Sequence, residues 1–127
     1  DFLKAALMTG AIPDLSVDFT AVDFTSRDSV LETARTFEDL GVAAYNGAGQ
    51  LLESADFLLV AGKIVSVEAR HAAAIRDLLN PLSADFAGDD VVDPTSGLDQ
   101  ALPPSDVLAA ADPFIVTPID PSGLPTA

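Results

Sequence analysis

Glu38, Glu68 and His71 are the residues whose types and spacing could do chemistry together. Two of the four glutamates, Glu38 and Glu68, stand inside otherwise apolar stretches. A carboxylate taken out of water is costly unless it is paired or bound to a cation. Glu68 and His71 lie three residues apart, so on a helix they project from one face. Glu38 precedes the turn near residue 54 by sixteen residues and Glu68 follows it by fourteen. If the flanking segments are antiparallel helices, the two glutamates therefore stand at nearly the same height. One Glu facing a Glu-x-x-His pair is a donor set that holds iron or manganese inside helix bundles. Plainer uses stay open. A buried histidine bonded to a neighbour is the commoner case, and Glu38 could pair with Arg70 or Arg35 across a helix interface. Arg70 and Arg76 read as surface or inter-helix ion pairs, and Tyr45 reads first as a core side chain.

The elements that must position these residues are two long amphipathic helices. Leu31, Ala34, Glu38, Gly41, Tyr45, Ala48 and Leu52 recur at the three-and-four spacing of a single helical face. This helix is expected to begin near Thr25, capped by Thr25 with Asp28 three residues on, and to end near Glu53. Gly41, Gly47 and Gly49 each cost about 1 kcal/mol relative to Ala in a helix interior, which points to close approach by a neighbouring helix. The second stripe is Leu58, Ala61, Ile64, Val65, Glu68, His71, Ala72, Ile75 and Leu79. Ser54 or Asp56 is its expected cap, and Asn80-Pro81 stops it. A turn this short forces the two helices to pack antiparallel.

The rest of the chain is less regular. Residues 2–7 (FLKAAL) read as the last turns of a helix that Gly10 and Pro13 terminate. Residues 8–25 show no helical period and read as a long crossover. Eight of the nine prolines lie between 81 and 125, so residues 81–127 are expected to be a mostly extended tail wrapping a surface. One short helix is expected at 105–111, capped by Ser105. The acidic residues Asp89, Asp90, Asp93 and Asp99 lack calcium-loop spacing and read as a solvated loop.

Bulk properties exclude several classes. A net charge of −14 repels nucleic-acid phosphates and anionic lipids, so neither is an expected partner. With no cysteine there is no disulfide and no thiolate metal site. The apolar stretch 57–67 is interrupted by Lys63 and is too short to span a bilayer. No signal peptide stands at the start of the chain. An Asp-rich, Lys-poor composition suits either high salt or a soluble extracytoplasmic setting. Starting at Asp1 rather than Met, the chain reads as processed, trimmed or part of something longer. No spacing of Ser and His suggests a hydrolase triad, and no catalytic residue is assigned.

The segments FEDLGVAAYNGAG (37–49) and VEARHAAAIRDLL (67–79) resemble the second helical pair of the ferritin-like superfamily. More narrowly, they are similar to the ferritin-like domain family that includes plant desiccation-related proteins and bacterial relatives. The resemblance covers roughly residues 1–80. It implies an all-α, ferritin-like four-helix bundle, of which this chain supplies the second helical pair and an extended Pro-rich C-terminal tail. It also implies that Glu38 matches the third-helix metal ligand, that Glu68 with His71 matches the fourth-helix motif, and that Tyr45 matches a tyrosine often found near such sites. Iron or manganese is then the implied cofactor. Such sites draw their other Glu and Glu-x-x-His from the first helical pair, and this chain has neither. The expected partner is therefore that N-terminal half of the bundle or a second copy of the chain. Two functions follow from the resemblance. One is a non-haem metal protein handling iron, oxygen or peroxide. The other is a metal-free structural or stress-protection assembly protein.

Overall fold

The computed structural model describes residues 2–125; Asp1 and the last two residues of the tail lie outside the described residues. Four helices follow in order: α1 (Phe2–Leu7), α2 (Arg27–Gly49), α3 (Ala55–Leu79) and α4 (Pro104–Ala111). Isolated bridges take the place of β-strands among the described residues.

Helix α2 is capped one residue later than the sequence suggests. Thr25 is already engaged, because its backbone N–H and its hydroxyl both donate to the Asp23 carboxylate, at 2.9 and 2.7 Å. Ser26 caps instead, its hydroxyl accepting from the Ser29 amide at 3.3 Å. The helix also stops at Gly49, short of Glu53, where Leu51 N–H closes a tighter turn on the Ala48 carbonyl at 2.9 Å. Two glycines in its last turn weaken any continuation. Ser54 caps α3 by accepting from Phe57 N–H, and α3 ends at Leu79 before Asn80-Pro81.

Contacts along α2 and α3 run in opposite senses. Arg27 Nη2 donates to the Leu78 carbonyl at 3.3 Å, Glu38 meets His71, and Gly49 lies by Leu58 near the connecting turn. The pair is therefore antiparallel. Its core is narrow, with Val42, Ala43, Ala61 and Ala72 as the buried apolar side chains among the described residues.

The segment after Pro81 docks onto this pair. A 3-10 turn at Asp85–Ala87 lies on α3. A turn carrying Gly97 at φ 70° closes the Val92–Asp99 bridge. Leu102 N–H then donates to the Ala43 carbonyl at 3.0 Å, crossing directly over Gly47. A methyl group at Gly47 would overlap the Leu102 carbonyl oxygen and sit 2.8 Å from its carbon. The close approach foreseen at Gly47 is thus made by tail backbone, not by a helix. Helix α4 packs on α2, with Pro104 as its first residue and Pro103 at its N-cap, two positions ahead of the expected Ser105 cap. Proline suits the first helical position because its fixed φ is helical and no N–H is needed there. Farther on, Val116 N–H donates to the Ser16 carbonyl at 2.8 Å and Asp18 N–H to the Phe114 carbonyl at 3.0 Å, bridging tail and crossover. Phe19, Phe37 and Phe114 form an aromatic cluster with centroids 4.7 to 6.1 Å apart. That cluster ties crossover, α2 and tail together.

Candidate metal centre

Glu38 projects from the middle of α2, and Glu68 and His71 from successive turns of α3, onto one side of the helical pair. The antiparallel register set by the turn at Ser54 puts them level. His71 Nδ1 lies 3.1 Å from Glu38 Oε1. The natural assignment places the proton on Nδ1, donating to the carboxylate, so the ring carries its lone pair on Nε2. Glu38 is about a quarter exposed (26%), whereas His71 is 57% exposed, so the expected burial of the histidine is not what this chain provides. The tail packs on the other side of α2, against Ala43, Asn46 and Gly47.

Glu68 takes a different position from its two neighbours. Its carboxylate lies in the seam between the helices over Gly41, and its Oε2 is buried with no hydrogen-bond partner among the described residues. Burial first, and then the Glu38 charge, push its pKa up, while His71 pulls it down. Tyr45, one turn beyond Gly41 on α2, has its phenol pKa raised by burial and by the Glu68 charge. Val60, Ile64 and Val67 wall the groove beside the three residues, and Lys63 also borders it. The groove is open and holds about 460 Å³, far more than an ion occupies and enough for side chains from a facing segment.

The structure thus brings Glu38 and His71 together and sets Glu68 beside them on the same groove. Among the described residues, no three His, Asp or Glu side chains stand close enough to hold a metal ion between them. The donor set still suits a cation, since two carboxylates and an imidazole adjoin one groove and one buried carboxylate oxygen lacks a partner.

The opposite side of the same helices holds the inter-helix ion pair expected of Arg76, enlarged by partners from the tail that sequence reasoning missed. Arg76 is 6% exposed. Its Nε and Nη2 donate to Asp39 at 2.8 to 3.2 Å, and its Nη1 and Nη2 reach Asp90 at 3.0 and 2.7 Å. Nη1 also donates to the Asp85 carbonyl at 3.2 Å. These hydrogen bonds raise the Arg76 pKa further, Asp39 contributing most, and Arg76 holds the Asp90 carboxyl below the usual carboxylate range. Asp90 stands in a solvated loop as expected, 68% exposed, and in addition clamps the tail to α3 through Arg76. The available signal was Ala69, Ala72, Ala73 and Arg76, a helical strip of alanines ending in an arginine with no apolar substitute. Among the described residues Arg70 bonds within its own helix, donating to Ser66 Oγ at 2.9 Å.

The family model described as a ferritin-like domain matches residues 1–81. No curated protein and no solved structure matches the chain. No described helix is long and apolar enough to cross a membrane.

Proposed function

Because the chain belongs to the ferritin-like domain family, we propose that it is a non-haem metal protein in which Glu38, Glu68 and His71 are this helical pair's ligands to iron or manganese. The observation that carries the reading is the buried, partnerless Glu68 Oε2 on the groove that Glu38 and His71 share. A carboxylate in that position calls for a counter-charge. Within the chain, Glu38 orients the imidazole through Nδ1, which leaves Nε2 as the nitrogen free to ligate. Three donors from one helical pair leave coordination incomplete, so a facing pair supplies the remainder. That pair is the first half of the bundle or a second copy of this chain. Iron or manganese bound there would supply redox chemistry toward oxygen or peroxide.

A second reading has its own support. The Glu38–His71 hydrogen bond satisfies both groups without an ion, and the three side chains do not form a closed ligand cluster among the described residues. That geometry suits a metal-free bundle serving a structural or stress-protection assembly.

Elemental analysis of the purified protein separates the two. The metal reading expects iron or manganese in stoichiometric amounts, lost when Glu68→Ala and His71→Ala are combined. A metal-free protein, or metal retained in that double variant, leaves only the structural reading.

A further inference from the structure

We propose that Gly41 is the positioning residue for Glu68: its lack of a side chain makes the seat in the α2–α3 seam that fixes where the Glu68 carboxylate stands. A Cβ at Gly41 would lie 2.9 Å from Glu68 Oε2, 3.0 Å from Cδ and 3.1 Å from Oε1. All three carboxylate atoms therefore occupy the space a side chain would take. Gly41 sits in the interior of a 23-residue helix at helical backbone angles, and among the described residues its φ is not positive. The glycine is not needed for a turn, and in a helix it is unfavourable relative to alanine. Its observed return is room for one carboxylate. The neighbouring glycines behave differently: Gly49 leaves only ordinary contact with Leu58 at 3.8 Å, and Gly47 admits tail backbone.

The clash at Gly41 is with the tip of a flexible side chain. Alanine there moves Glu68 out of the seam and leaves the helices in place. The role assigned to Gly41 as part of a cation site rests on the metal reading above; the seat itself does not.

Tyr45 is the only tyrosine in a chain without tryptophan, so its phenolate absorbance is a clean reporter of Glu68. Removing a nearby negative charge lowers a phenol's pKa. The experiment titrates Tyr45 in the full chain carrying Gly41→Ala, Glu68→Gln, or both, and measures Mn²⁺ binding by calorimetry for the wild type and Gly41→Ala. The seat predicts a downward Tyr45 shift in each single variant and no added shift when Gly41→Ala is placed on Glu68→Gln. Gly41→Ala also weakens Mn²⁺ binding by about 10- to 100-fold, the usual cost of disturbing the support of a ligand. Two results overturn the seat: Glu68→Gln leaves Tyr45 unmoved, or Gly41→Ala leaves it unmoved. Gly41→Ala that shifts Tyr45 while binding Mn²⁺ as the wild type does overturns the cation part of the role. Absence of Mn²⁺ binding by the wild type ends the metal reading and the cation part of this role, while the Tyr45 cycle still decides the seat.

Discussion

The two sides of the α2–α3 pair treat buried charge in opposite ways. On the tail side, Arg76 is enclosed and every one of its nitrogens donates to Asp39, Asp90 or the Asp85 carbonyl. On the groove side, Glu68 has a buried oxygen with no partner among the described residues, and His71 stands more than half in solvent. The same two helices thus carry one completed polar cluster and one in which a buried carboxylate oxygen lacks a partner among the described residues. Completed clusters resist change by structure. Uncompleted ones mark where function or assembly acts.

The contrast is most easily broken at Arg76. Replacing it with Met leaves Asp39, only 18% exposed, as a charge without its partner. Arg76→Met should destabilise the chain by about 3 kcal/mol, measured from urea midpoints. His71→Ala on the groove side should stay within about 0.5 kcal/mol. Equal losses at both sites would erase the distinction. A step smaller, Gly47→Ala drives a methyl group into the Leu102 backbone on the tail side and should cost about 2 kcal/mol. Limited proteolysis should then cut the tail before the helices, and an unaltered cleavage pattern would show that the tail does not depend on this crossing.

On the groove side the sign reverses. The raised pKa of Glu68 means that folding disfavours its charge, so Glu68→Gln should stabilise the chain at neutral pH. A thermal melt that falls would mean the carboxylate has found a partner. The smallest effect is the acid response of the clamp. The Asp90 carboxyl is depressed in the folded chain, so its contribution is present above about pH 4 and is lost as pH falls through the folded value. With Asp90 itself 68% exposed, that contribution is below about 1 kcal/mol. Melts of wild type and Asp90→Asn should converge toward low pH. Parallel curves would remove the charge argument.

The helical pair was legible in the sequence because its signals are local. Ser54 and Asn80-Pro81 set the ends of α3, and the counts from the turn to Glu38 and Glu68 set the register that puts Glu38 against His71. The α2 cap was off by one because Asp23 takes Thr25, a competition between two short-range hydrogen bonds that residue type alone does not rank. The tail's path was not legible, since Leu102 over Gly47 and Asp90 on Arg76 are pairings between distant segments without periodicity. Glu68's seat was half visible: Gly41 stood out as an unfavourable helix residue, but nothing in the spacing said that a carboxylate would fill the space.

The bridge between Val17 and Ile115 has a consequence for the order in which the chain folds. The α2–α3 hairpin closes through a connection of a few residues, whereas this bridge must close most of the chain into one loop before it forms a hydrogen bond. The hairpin should therefore form early and the bridge last. Pulsed hydrogen exchange during refolding should find the amides of Asp18 and Val116 protected after those inside α2 and α3. Simultaneous protection would mean that the pair does not hold together until the tail has closed over it.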